Sequence, residues 1–248
     1  MTVIQSRKER ERAARESLIL KHGARLVARD GFQDLNLDEL AAAAEYSKGT
    51  LYLHFKTKED LVLAVATRAL QHRADLLERA AAFSGKTRER VRAMAFASCE
   101  FMVTHRDFFA VELILQARSF WDRASEERRS RHLAESGRIF RLVNQVVEDA
   151  QACGDLSGGY SSEQVTLSLM AITMGCHCMV TQPALQATIT DPIALLLLSA
   201  ERLMDGWSWA PISNGSRSDA LDRRIYREVF PDSAWFKPQA AKMKRKTF

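Results

Sequence analysis

The run Ser47-Lys48-Gly49-Thr50-Leu51-Tyr52-Leu53-His54, followed by Lys58, gathers hydroxyls, ammonium groups, an imidazole and one residue without a side chain. These groups suit noncovalent recognition of a polyanion. Lysines meet phosphates, hydroxyls bond phosphate oxygens or base edges, and glycine lets backbone come close. Catalytic patterns are missing: the chain has no Gly-x-Ser-x-Gly, no phosphate-binding glycine loop and no His-Glu-x-x-His, so an enzyme is not expected. Cys176-His177-Cys178 is the one stretch that suggests a metal. On a helix, positions 176 and 178 point roughly 200° apart and cannot share one ion. No metal site and no cofactor is therefore expected, and thiol sensing stays open as an alternative.

Short helices must position the first run. Asn36, with Glu39 three residues on, reads as the N-cap of a helix Leu37–Ala44, and a tight turn leads to a helix Ser47–His54. Helices this short are marginal alone, so Phe32, Leu35, Leu37, Leu40, Leu51 and Phe55 are expected to pack them onto neighbours. One neighbour spans Arg7–Asp30, with Ile19, Leu20, Ala24, Val27 and Ala28 facing the core and Gly31 just past its end. The other opens at Thr57, paired with Asp60, and runs to about Ala82 through Leu61, Val65, Ala69 and Leu76. A tight-turned helix pair whose second member is rich in exposed polar groups is the helix-turn-helix pattern.

Here the sequence resembles the TetR family of bacterial transcriptional regulators, over about Ile19 to Val65. Ser-Lys-Gly-Thr-Leu-Tyr-x-His-Phe-x-x-Lys-Glu-Asp-Leu, residues 47–61, carries most of the likeness. The resemblance implies an all-α fold: an N-terminal three-helix DNA-binding domain and a larger helical domain for effector binding and dimerisation. It also implies DNA contacts from Asn36, Ser47, Lys48, Gly49, Thr50, Tyr52, His54 and Lys58, with Tyr52 on a phosphate. For Asn36 the N-cap role is the plainer reading, and for His54 a solvated or capping role stands beside a phosphate contact. The turn departs from the family pattern, with Glu45 and Tyr46 where Gly and Val are common; Glu45 either takes a positive φ or the turn differs.

Beyond this segment, caps and breaks predict a helix Thr87–His105, a shorter one through Phe108, Val111 and Leu115, and a long one over about 123–153 with Leu133, Ile139, Phe140, Val143 and Val147 inward. Further helices are expected from Ser161 to about Gln182 and from Asp191-Pro192 to about Trp207, about nine in all, with a tenth over 219–230. The expected division is 1–57 for DNA binding behind a basic arm, 58–209 for effector and dimer, and 210–248 as linker and basic extension. Phe96, Cys99, Met102, Val103, Phe109, Leu113, Gln116, Phe120, Trp121, Phe140, Val143, Met174 and His177 are candidate pocket residues. Their bulk suits an apolar or aromatic effector. Leu167, Met170, Met174, Leu195, Leu196 and Leu198 spread over more than one helix face, which a symmetric homodimer would cover.

The charge balance adds a limit. Net charge is +5 over 248 residues, yet residues 1–60 carry 11 Lys and Arg against 10 Asp and Glu. Affinity for DNA must then come from placed contacts and dimeric avidity rather than bulk charge. Four scattered cysteines, no signal-peptide core and no apolar run of membrane-spanning length point to a cytoplasmic protein with no membrane partner. The expected function is a homodimeric regulator, a repressor released from a palindromic operator by a small effector. One alternative is control by a protein partner through the C-terminal tail. A helical enzyme with a chance helix-turn-helix match is the remote one.

Overall fold

The computed structural model describes residues 7–116, 118–211 and 219–233, apart from the side chains of residues 113, 116, 118, 119 and 186. Among them there is no strand. Twelve α-helices follow one another: α1 (Arg7–Asp30), α2 (Leu37–Ala43), α3 (Lys48–His54), α4 (Lys58–Ala81), α5 (Thr87–Thr104), α6 (Arg106–Glu112), α7 (Arg118–Arg123), α8 (Glu126–Ala152), α9 (Ser162–Thr181), α10 (Pro183–Gln186), α11 (Pro192–Gly206) and α12 (Asp219–Val229). The count exceeds nine because the expected helix after His105 breaks into α6, a 3-10 turn at Leu113–Gln116 and α7. Pro183, whose fixed φ suits a first turn, also starts the one-turn α10.

Packing divides the chain into two units, Met1–Gln71 with His105–Ser136, and His72–Thr104 with Gly137–Phe248. This partition differs from the expected one at residue 57, since the DNA-binding segment shares its core with the 105–136 stretch. In that core Ile19, Leu20, Ala24 and Val27 of α1 meet Leu40, Leu51 and Phe55, Leu61 and Val65 of α4, and Val111, Leu115 and Phe120. Ala28, expected inside, is exposed, and Leu26 takes the inward place. Leu133 is likewise turned outward. The rings of Phe32 and Phe120 meet edge to face at 5.2 Å. Asp60 is buried and braces three segments: its N–H donates to Thr57 Oγ1 (3.0 Å), Oδ2 accepts from Lys56 N–H (3.3 Å), and Oδ1 accepts from Ser125 N–H (2.7 Å).

The turn between α2 and α3 closes as a Schellman arrangement, with Tyr46 N–H on Ala41 O (2.9 Å) and Glu45 N–H on Ala42 O (3.1 Å). Glu45 stands there at φ +59°, the left-handed conformation that a side chain disfavours by roughly 1–2 kcal/mol. Glu45→Gly is therefore expected to raise stability by about 0.5–1 kcal/mol, after glycine's entropic cost. Thermal or urea unfolding checks this, and an unchanged or lowered midpoint would count against the strain.

The second unit is centred on α5, which is buried on nearly all faces from Thr87 to Phe101 and packs against α9, α11 and α12. Thr87, expected as an N-cap, is instead the first helical residue. Its hydroxyl donates to Asp155 Oδ2 (2.7 Å) and accepts from Trp209 Nε1 (3.0 Å), while Glu89 accepts from Lys86 N–H (3.1 Å) at the helix start. The two arginines that α5 buries are paired. Arg88 reaches Glu201 and Asp205 at 2.6 Å each and the Trp209 carbonyl at 2.7 Å. Arg92 makes a two-pronged pair with Asp222 of α12, 2.7 and 3.0 Å. Burial works against the Arg92 charge, but Asp222 and Glu201 outweigh it and hold its pKa above the ordinary arginine value.

The apolar tail thus has a home: Ile225, Tyr226, Val229 and Phe230 of the 219–230 stretch are buried, with Tyr226 edge-on to Phe96 at 4.7 Å. Capping holds the other late helices as expected. Ser161 and Gln164 form a reciprocal box, and Asp191 accepts from the N–H groups of Ile193 and Ala194 ahead of Pro192. The basic end, Lys242–Lys246, with Trp235 and Phe236, lies outside the described residues.

His177, in the same unit, carries a pH signature. Burial lowers its pKa from 6.5 to about 3, with the Arg73 charge adding to the effect. As pH falls below 6.5 the unfolded chain gains a proton there that the folded chain refuses until about pH 3. The folded state then loses up to about 1.4 kcal/mol per pH unit from this group. Between pH 7 and pH 5, His177→Gln should lessen the loss of stability by on the order of 2 kcal/mol. Urea titrations of both proteins at the two pH values test it, and parallel losses would remove His177 as the cause.

Candidate nucleic-acid interface

Ser47 caps α3. Its Oγ accepts from Thr50 N–H at 3.2 Å and lies 2.9 Å from Thr50 Oγ1. That cap fixes the helix start, and the core below fixes its roll, because Leu51 and Phe55 are both buried. The opposite face is left to solvent: Ser47, Lys48, Gly49 and Tyr52 are exposed and Thr50 is half-buried. At Gly49 an added Cβ would meet only Ser47 Oγ, at 3.7 Å; a side chain fits the protein, and its absence matters only to an approaching partner. The Lys48 ammonium rests 3.0 Å from Asp38 on α2, both ends exposed. Hydrogen bonding to Asp38 raises the Lys48 pKa. An exposed pair of this kind opens at little cost, so Lys48 is available to a phosphate or a base.

His54 is placed elsewhere. Its side chain is only 5% exposed and its Nδ1 lies 3.7 Å from Glu16 Oε2, so it does not join the exposed set. Desolvation lowers its pKa, which Glu16 only partly offsets. The carbonyl of His54, at the end of α3, accepts from Arg128 Nη2 at 3.0 Å. Arg128 also lies over the Phe55 ring at 4.9 Å and bonds Glu16 at 2.8 Å. Arg128 is thus the C-terminal clamp of α3, a role that no local sequence signal announced.

Asn36 is exposed, but its Oδ1 serves α2 by accepting from Asp38 and Glu39 N–H at 2.8 and 3.3 Å. The reciprocal bond expected of Glu39 is replaced by an ion pair with Arg29 at 2.8 Å. Lys58 begins α4 and is half-buried. Leu53, which the sequence reading passed over, is 78% exposed beside Tyr52. A large aliphatic side chain at a solvent face of α3 is the shape that meets a thymine methyl, and the signal for it was a leucine off the Leu51/Phe55 stripe.

The candidate pocket residues are divided between the two units. Phe109, Phe120 and Trp121 belong to the first unit, where Phe120 is core against Phe32 and the Trp121 indole donates to Leu115 O at 2.8 Å. Phe96, Cys99, Val143 and His177 are buried in the second unit, and Met102, Val103 and Phe140 are half-buried there. Phe96 is covered by Tyr226. Met174 is 56% exposed, so it faces away from that interior. The side chains of Leu113 and Gln116 lie outside the described set. Among the described residues no group of three His, Cys, Asp or Glu side chains is placed to hold a metal ion.

Comparison with known proteins follows the same lines. The family model described as bacterial regulatory proteins, tetR family, matches residues 19–65. An uncharacterized HTH-type transcriptional regulator of Bacillus subtilis (strain 168), YhgD, is 32% identical over 92 residues, 37% of this chain. The match spans 48% of YhgD, about half its length. Among solved structures, the transcriptional regulator FadR from Bacillus subtilis, in complex with stearoyl-CoA, is similar with a TM-score of 0.65 at 15% identity, over 77% of this chain and 98% of that one. SmeT, the repressor of the Stenotrophomonas maltophilia multidrug efflux pump SmeDEF, is similar with a TM-score of 0.62 at 17% identity, over 81% and 94%. These two likenesses establish the all-α fold. The likeness to tetR-family bacterial regulatory proteins is thus carried by residues 19–65.

Proposed function

We propose that the protein is a homodimeric, sequence-specific DNA-binding regulator that represses from a palindromic operator and is released by a small apolar or aromatic effector. The observation that carries the reading is the solvent face of α3, where Ser47, Lys48, Gly49 and Tyr52 stand exposed over the buried Leu51 and Phe55. Lys48, Thr50 and Leu53 are assigned to base edges, and Ser47, Tyr52 and Lys58 to phosphates. Gly49 allows the close approach, and Asn36 orders the start of α2. His54 acts inward, by holding the end of α3.

The dimer reading rests on α9 and α11. Leu167, Met174 and Met179 of α9 and Leu198 of α11 are large apolar side chains left exposed on the single chain. α9 is also the one helix, among the described residues, long and apolar enough to cross a membrane, with only 28% of its apolar window buried. A second copy covers such a face as well as lipid would, and α11 packed beside α9 widens the contact. The effector reading is supported by the apolar interior of the second unit and by two structures of similar fold, FadR in complex with stearoyl-CoA and the SmeT–triclosan complex. α4 supplies residues to both units. An effector that prefers a state with badly spaced recognition helices must weaken DNA binding by the same factor that DNA weakens effector binding. Control by a partner through α12 is disfavoured, since α12 spends its apolar face on its own unit.

Selection from random duplexes tests the reading. It should enrich an inverted repeat with half-site centres about one turn apart, ~34 Å, or somewhat more. Lys58→Ala should weaken all sequences alike and lower the magnitude of the salt slope by about 1 per half-site. Tyr52→Phe should weaken the selected duplex with the fold unchanged. No enriched sequence, or a slope and affinity indifferent to Lys58, would contradict the assignment.

A further inference from the structure

A cleft of about 230 Å3 opens at the surface of the first unit, bounded by α1, α4 and the start of α8. Its charged lining is Glu16, Arg68, Arg128, Arg131 and Glu135, so cations outnumber anions by three to two. Each acid has a hydrogen-bond partner through one carboxylate oxygen. Glu16 bonds Arg128 at 2.8 Å, and Glu135 accepts from Gln71 Nε2 at 3.1 Å. The Arg128 hydrogen bond and charge keep the Glu16 pKa low although burial pushes it up, which leaves Glu16 ionised and committed. Arg131 pairs with Glu127 on its own helix at 2.6 Å.

Arg68 is the exception. Its Nε is shielded from solvent and has no hydrogen-bond partner among the described residues. A buried donor left unmet is costly in a folded protein, and a guanidinium edge offers two parallel N–H groups that match a carboxylate. The remaining walls include Leu20, Ala64 and Ala134, small apolar surfaces that suit a ring or a short alkyl chain. The volume lies below the usual range for drug-sized ligands, which limits the guest to a small molecule.

We propose that this cleft is a binding site for a small organic monoanion, an aryl or short-chain carboxylate whose oxygens meet Arg68 and whose apolar part rests on Leu20, Ala64 and Ala134. The site is separate from the apolar interior of the second unit and lies beside the Arg128 clamp on α3.

The test is calorimetric titration of the full chain with sodium benzoate in low-chloride buffer, with benzyl alcohol as the uncharged control and no DNA present. Saturable benzoate binding is expected, with benzyl alcohol at least tenfold weaker. Arg68→Met should lose at least tenfold in affinity. Ala134→Phe, which leaves every charge in place and fills the cleft from an exposed position, should lose a similar factor; it keeps the test valid if the Arg68 variant misfolds. Absence of saturable binding by benzoate, acetate or inorganic phosphate would overturn the site. So would equal benzoate affinity in the wild-type chain and a folded Arg68→Met or Ala134→Phe. Because the titration contains no DNA, its failure leaves the operator reading standing.

Discussion

Asp222→Ala is expected to cost about 3–5 kcal/mol of folding stability, the usual penalty for stranding one member of a buried ion pair. The Asp222 side chain is fully buried and the Arg92 side chain 10% exposed, joined at 2.7 and 3.0 Å. Without Asp222, Arg92 keeps only Glu201, at 2.9 Å, and α12 loses its one buried anchor charge on α5. The helix would detach and expose Phe96, Ile225 and Tyr226. Urea unfolding should show the loss, and limited proteolysis should cut ahead of α12 first. Replacing Arg92 and Asp222 together by methionine and leucine should recover most of it, since the desolvation penalty leaves with the charges. A variant lacking only Asp222 that unfolds at the wild-type midpoint would show that the pair contributes nothing to docking.

Leu198→Glu is expected to abolish the proposed dimer while leaving the protomer folded. Leu198 is 57% exposed on the single chain and, like Leu167 and Met174, is a large apolar side chain left uncovered. An unpaired carboxylate placed in a two-fold interface appears twice, at several kcal/mol in total, enough to raise the dimer dissociation constant by on the order of a thousandfold. Light scattering should report a monomer with an unchanged helical circular dichroism spectrum. Leu196, two residues earlier, is 1% exposed; glutamate there should unfold the protomer instead. A well-folded dimer of Leu198→Glu would place the interface on another face.

How much of this was legible in the sequence depends on the range of the interactions. Caps are local, and Asn36, Ser161 and Asp191 all open the helices that their spacing announced. At the turn residue Glu45 the sequence left two alternatives, a positive φ or a different turn, and its φ of +59° decides for the first. Long-range partners were not legible. Phe120 and Trp121 read as pocket residues because an aromatic stripe has the same spacing whether it lines a cavity or fills a core, and only Phe32 opposite decides. His54 carries the same motif position as an exposed residue would, yet Glu16 and Arg128 from distant helices turn it inward. Leu196 and Leu198 differ in exposure only because α11 presents one to α5 and α9 and the other to solvent. In each case the sequence specified the helix and its apolar content, while the direction of each side chain depended on elements far along the chain.

The central claim is that the exposed face of α3 reads bases. It is tested most directly by comparing the duplexes selected from one random library by the wild-type chain and by Lys48→Ala. The wild type should enrich an inverted repeat, and the variant should lose preference at one position per half-site, by on the order of tenfold or more, while the flanking positions and spacing persist. An identical selected sequence, bound with identical affinity by Lys48→Ala, would contradict the account.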